Sequence, residues 1–402
     1  PTTPTPVGVT GPWWTPTPIP TPTPTLTPTP TPTLTPTPTL TPTPTPNPHY
    51  GVVALQDSSA PYLLDALGIR WYLNFSSNPS SNPNIFHKPI FIRKIDPTDV
   101  LSPSSIENLV ENAPSGSYWY LGGEPNRTAL TGNQYADTFF YYHNQITTFD
   151  PTAKLMGPSI LNWDFTCIGC ALFYGPRCEG RLQAGYRCGA SWLKEFVDVY
   201  LTKYGEYPPV NVWSIDLYPL DWINQPNNDP SKLLFYQAKD QWLPHSTVTT
   251  HQIVGLREYL DSIPQYEDTP IWVTEAAIHL GFQGWTYVHL STGKECTTQE
   301  ISNGECKTSP TGDYRWDLMS DYLNKVLDFF DANADALNIE RWFFFTAWKD
   351  IWDPPASDPY MGIIFFDGPN DGANVNCLGQ VYKARAMGLP PISCDSNGNV
   401  IP

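Results

Sequence analysis

The sequence predicts an α/β fold, a (β/α)8 TIM barrel preceded by an extended Pro/Thr-rich polyproline-II segment. Three observations carry that expectation: an opening stretch of 48 residues that cannot fold on itself, eight short apolar runs after it, and helical stretches between most of those runs.

Residues 1–48 contain no Asp, Glu, Lys, Arg or His and alternate Pro with Thr almost strictly from Thr15 to Pro46. Proline fixes φ and removes an amide donor, so such a chain favours polyproline II and behaves as a stiff strap or linker rather than a core. Two roles are open to it. One is a spacer between the barrel and a cell-surface or partner module, its threonines available for O-glycosylation. The other is self-assembly into an extracellular filament or surface layer, with Trp13 and Trp14 as an anchor in a partner's groove.

After Pro48 the apolar runs fall at 51–55, 69–74, 89–95, 118–123, 154–158, 210–217, 270–275 and 339–346. They are continuous rather than alternating, which marks strands covered on both faces. An apolar rhythm of 3.6 residues predicts helices over 60–67, 104–112, 134–149, 191–204, 249–262, 314–333 and 379–387. One crossover, 75–88, is rich in Asn, Ser and Pro and reads as a loop. Eight strands with near-regular crossovers favour a closed barrel over an open sheet, and such barrels run to about 250 residues or more, so 49–402 is expected to be one domain. No GxGxxG or Walker-type loop supports the open alternative.

With 39 acidic against 22 basic residues and a formal charge of −17, nucleic acid and anionic membrane are disfavoured as partners because both would be repelled. No apolar run approaches the roughly 20 residues of a membrane helix. The histidines are scattered without an HExxH, and no GxSxG elbow appears, so neither a metal, a cofactor nor a serine nucleophile is expected.

The eight cysteines lie in local groups, which fits an oxidising compartment. Cys167, Cys170, Cys178 and Cys188 occupy the long connection 160–190; their spacings of two, seven and nine residues fit no standard zinc knuckle, so disulfides are preferred there, with three connectivities open. Cys296 and Cys306 would close a short loop within 280–312, and Cys377 and Cys394 would tie down the C-terminal tail. Both long connections follow strands, so both are expected over the barrel face where active sites are built. The chain opens on Pro1 without a Met, as expected of a mature product whose export signal has been removed, and the setting expected is extracellular, secreted or cell-surface attached.

Retaining glycoside hydrolysis needs two carboxyl groups about 5–5.5 Å apart, one to protonate the leaving sugar and one to attack the anomeric carbon. Glu124 closes the fourth apolar run within LGGEPN, and Glu275 closes the seventh within PIWVTEA. Both are expected to project from the rim of the barrel.

These motifs resemble the Asn-Glu-Pro and Thr-Glu signatures of clan A glycoside hydrolases. More closely, RWYLNF (70–75), LGGEPN (121–126), WSIDLYP (213–219), PIWVTEA (270–276) and RWFFFTAW (341–348), taken in order, resemble the Asl1-like glycosyl hydrolase catalytic core. The resemblance implies Glu124 as acid/base, Glu275 as nucleophile, and a polysaccharide partner, with β-glucan the substrate class indicated. It also implies substrate binding by Asn126, Asp216 and Tyr218, and Trp348 as the platform under the sugar at the cleavage point. Trp163, Trp222, Trp285 and Trp352 lie in neighbouring loops, where they either stack on sugars or pack under the loops. Two positions depart from the clan pattern: Gly123 stands where Asn is usual, and Asp216 where His is usual. An ionised Asp216 near Glu275 would raise that nucleophile's pKa, the wrong direction for attack at neutral pH. The alternative expectation is therefore a structural or glycan-binding protein with a degenerate hydrolase site.

Overall fold

The computed structural model describes residues 46–163, 166–167, 186–187, 189–217, 252–277, 285–289, 291–292, 294, 296–310, 316–347, 365–367 and 374–402. The chain divides into Pro1–Thr43 and Pro44–Pro402; the Pro/Thr strap up to residue 45 lies outside the described residues.

All eight expected strands form: β1 (Tyr50–Val53), β2 (Trp71–Leu73), β3 (Ile90–Ile92), β4 (Tyr118–Leu121), β5 (Lys154–Leu161), β6 (Val212–Leu217), β7 (Ile271–Ala276) and β8 (Ile339–Phe344). They pair in the order β2-β1-β8-β7-β6-β5-β4-β3, and every pairing is parallel. The two ends of this curled sheet meet. A parallel bridge joins Trp71 to His87, just ahead of β3, through Tyr72 N–H to His87 O at 3.0 Å and His87 N–H to Arg70 O at 2.9 Å.

Side-chain alternation along a strand then divides the core in two. Inside the barrel each strand contributes one buried residue to a single cluster: Val53, Leu73, Phe91, Tyr120, Met156, Val212, Trp272 and Phe343. Their outward neighbours, such as Val52, Trp119, Trp213, Val273 and Trp342, join the larger core under the helices. Burying a side chain of Val to Phe size contributes about 1.5–3 kcal/mol, so both layers hold the rim rigid. Gly51 is required in β1 because a Cβ there would come within 2.5 Å of the Phe343 ring.

The helices follow the expected order: α1 (Ala60–Leu67), α2 (Pro103–Asn112), α3 (Gly132–Phe149), α4 (Gly189–Tyr204), α5 (Gln252–Asp261), α6 (Trp316–Asn333) and α7 (Cys377–Ala386). Local chemistry sets their starts. Ser102 caps α2 with Pro103 following it, and Thr131 with Gln134 forms a reciprocal capping box on α3, satisfying amides that have no partner inside a helix. The 75–88 crossover has no helix, as its composition predicts. It is tied instead by Lys88, whose fully buried ammonium donates to Asn74 Oδ1 at 2.6 Å and Ser76 O at 3.2 Å and faces Asp57 at 3.4 Å.

The two isolated cysteine pairs close as expected. Cys296–Cys306 clips the connection after β7, where strands Trp285–His289 and Cys306–Pro310 pair antiparallel; Cys377–Cys394 fastens α7 to the C-terminal tail. Each such cross-link contributes about 2–4 kcal/mol. In the connection after β5, the backbone of Cys167 pairs with Tyr186, while Cys170, Cys178 and Cys188 lie outside the described residues. Among the described residues no helix is long and apolar enough to cross a membrane.

Candidate active site

The strands end on one face of the barrel, and three carboxyl groups meet there. Glu275 lies near the end of β7 and Asp216 near the end of β6, opposite each other in register. Glu124 follows β4 after Gly122, which needs its φ of +70°, and is itself left-handed with φ of 48° before the turn Pro125–Arg127. That backbone reversal turns Glu124 inward across the mouth. One carboxylate oxygen from each of Glu124, Asp216 and Glu275 lies within 4.8 Å of the other two.

Their surroundings differ. Glu124 keeps 18 % of its side-chain surface open and pairs with Arg127, three residues on in the same turn. Glu275 is 8 % exposed and Asp216 wholly buried. Asp216 Oδ1 lies 2.7 Å from both Ser159 Oγ and Thr274 Oγ1. Burial, and next the charge of Glu124, push the Asp216 carboxyl up to about 8, although both hydroxyls and Arg127 pull it down. A proton on Asp216 would remove the charge that would otherwise disturb Glu275.

Tyr120, in sequence one more residue of an apolar strand, sits beneath the carboxyls. Its ring joins the barrel interior, and its phenol is raised well above the usual range by burial first, then by Asp216, Glu275 and Glu124; it stays neutral. A Cβ at position 123 would lie 3.2 Å from the Tyr120 hydroxyl. The Gly123 departure thus has a physical counterpart, since the space a larger residue would enter is bordered by this phenol. Inward parity two residues before Gly122 is the clue that could have found it.

Other expected residues separate. Asn126 is fully buried and spends its amide on the end of β5, donating to Leu161 O at 3.1 Å and accepting from Leu161 N–H at 2.9 Å. It pins the Glu124 turn and is not presented to a sugar. Trp163 is 6 % exposed and packs near Tyr259 and Lys194, so the packing reading holds for it. Trp285 lies on the disulfide-clipped hairpin, but its side chain, with Tyr218, Trp222, Trp348 and Trp352, falls outside the described residues.

Beside the cleft, an open pocket of about 460 Å³ is lined by Phe75, Ser77, Arg93, Lys94 and Asn108 among others. Phe75, which lines it, also borders Gly123, where a Cβ would lie 3.9 Å from the Phe75 ring. A second set of metal-type donors, His289, Glu300 and Glu305, gathers on the connection after β7, where Glu300 is already the helix-capping acceptor for Thr297 and His289 faces Glu305 at 3.4 Å.

No family model matches the chain, and no curated protein does. Among solved structures it is similar to a GH128 (subgroup II) endo-β-1,3-glucanase from Pseudomonas viridiflava, with 16 % identity, 85 % of this chain and 98 % of that chain covered, and a TM-score of 0.46. It is also similar to a GH128 (subgroup I) endo-β-1,3-glucanase from Amycolatopsis mediterranei, a mutant in complex with laminaripentaose, at 17 % identity over 84 % and 100 % of the two chains and a TM-score of 0.42. A GH128 (subgroup VI) exo-β-1,3-glucanase from Aureobasidium namibiae is similar at 10 % identity over 83 % and 95 %, with a TM-score of 0.44.

Proposed function

We propose that this chain is an extracellular retaining glycoside hydrolase acting on a β-glucan, with Glu124 as acid/base and Glu275 as nucleophile. The observation that carries the reading is the meeting of the Glu124 and Glu275 carboxyls within 4.8 Å across the mouth of a closed barrel. Proximity of this order favours a pair in which one carboxylate attacks the anomeric carbon itself, at about 5 Å from the other; inverting pairs stand further apart to admit a water.

In the first step protonated Glu124 donates to the glycosidic oxygen as Glu275 bonds the anomeric carbon, releasing one sugar product and leaving a glycosyl ester on Glu275. In the second, Glu124 takes a proton from water, which attacks the same carbon and frees Glu275. Strand-end placement supports this chemistry, because β4 and β7 are anchored by buried residues on both faces and positional precision is worth several orders of magnitude in rate. Phe75 offers an apolar face, and Ser77 and Asn108 offer hydrogen-bonding groups, to a neighbouring sugar unit in the adjoining pocket. The described disulfides favour an oxidising, extracellular setting.

The test is reducing-sugar release from a panel of β-glucans led by β-1,3-linked chains, the linkage named for the similar solved structures. Wild type is expected to cleave at least one member, and Glu275→Ala to lower the rate by about 10⁴-fold or more. A Glu275→Ala rate equal to wild type removes Glu275 from the mechanism, and no cleavage of any glycan sinks the reading.

A further inference from the structure

Asp216 is left without a role by the two-glutamate mechanism, yet it is the most deeply buried of the three carboxyls. We propose that Asp216 works as a neutral carboxylic acid, a positioning residue that keeps its proton beneath Glu124 and Glu275 and so keeps a second negative charge away from the nucleophile. The proposal rests on the glycosidase reading of the same site.

Proton counting leads to it. Asp216 Oδ1, Ser159 Oγ and Thr274 Oγ1 form a triangle of short contacts, 2.7, 2.7 and 2.5 Å. The two hydroxyls supply two hydrogens for three contacts, and Thr274 Oγ1 also lies 3.3 Å from Ile215 O. A proton on Asp216 supplies the third hydrogen and closes the ring. Asp216 Oδ2 is buried with no hydrogen-bond partner among the described residues; an unpaired carbonyl oxygen there costs far less than an unpaired charge.

Charge counting agrees. Among the described residues, the groups facing Asp216 are Tyr120 from β4, Glu124 and Arg127 from the following turn, Ser159 from β5, and Thr274 and Glu275 from β7. Arg127 is the cation of this set, and it is paired with Glu124. An ionised Asp216 would therefore add a second negative charge beside Glu275, with that cation already engaged by Glu124. Its repulsion would drive a proton onto Glu275 and remove the nucleophile. The sign follows: the acid is neutral below its titration and charged above it, so turnover falls as pH rises through about 8. A permanently neutral side chain would serve the cleft as well and would leave loss of the Glu124 proton as the alkaline limit.

Asp216→Asn, neutral at every pH, is the direct test. Its turnover on a cleaved glucan is expected within about tenfold of wild type near pH 6, with the alkaline fall moved to higher pH than in wild type because loss of the Glu124 proton alone then sets it. Infrared difference spectra of wild type against Asp216→Asn give a readout independent of turnover: a carboxylic-acid carbonyl band present at neutral pH and lost as pH passes about 8. Absence of that band at neutral pH overturns the proposal, as does a folded Asp216→Asn that loses more than about 10³-fold of its rate near pH 6. If wild type cleaves no glycan, the glycosidase reading fails, while the infrared titration still decides whether Asp216 holds a proton.

Discussion

The two ends of the barrel solve opposite problems with similar materials. At the end where the strands begin, the charge of Arg341 is answered on several sides: its guanidinium lies 3.8 Å from the Trp71 ring centre and 5.3 Å from that of Trp272, donates to Glu340 at 2.9 Å, and reaches Pro48 O. Trp272 Nε1 completes the set by donating to Glu340 Oε2 at 2.7 Å. At the other end three carboxyls crowd together, with Arg127 paired to one of them. One end is built as a plug in which charge is neutralised and stacked. The other gathers three acidic groups and one cation, an arrangement that shifts proton affinities instead of stacking and neutralising charge.

That contrast can be broken by substitution. The largest effect is expected at the acidic end, where Glu275→Gln should lower glucan turnover by about 10⁴-fold while raising the urea midpoint slightly, since a charge held in a largely buried site has gone. An equal or lower midpoint would mean that burying the Glu275 charge does not cost the fold stability. At the plug, Arg341→Ala should destabilise by about 3–5 kcal/mol, because Glu340 loses its partner and the aromatic rings lose their packing; urea denaturation reads this directly. A cost under about 1 kcal/mol would reduce the plug to a surface contact. A smaller loss, about 1–3 kcal/mol, is expected for Asn126→Ala, which leaves both Leu161 backbone groups unanswered. Its kcat should fall as well, since the turn carrying Glu124 is released, and an unchanged kcat would show that the turn is held elsewhere.

The architecture is legible in the sequence because strands buried on both faces must be apolar along their whole length. The runs that form β1–β8 stand out against the Asn/Ser/Pro-rich crossover that has no helix. Glu124 and Glu275 are legible for the converse reason: each is a charge placed directly after such a run. What escapes is any residue whose role depends on which side of a strand it faces. Tyr120 lies in YWYL, where neither hydropathy nor propensity separates an inward phenol from the outward Trp119. Asn126 reads from its motif as a sugar ligand although its amide is used on Leu161, a pairing between segments 35 residues apart that no local pattern contains. Asp216 stands beside Glu275 as expected, but its charge state depends on burial and on two hydroxyls from other strands, Ser159 and Thr274.

The stereochemistry of cleavage tests the arrangement most directly. Proton NMR of the first sugar released from a β-glucan by wild type should show the β-anomer before mutarotation, as carboxyls within 4.8 Å of each other require. An initial α-anomer would mean that water rather than Glu275 attacks the anomeric carbon, and would contradict the pairing of Glu124 with Glu275 as acid and nucleophile.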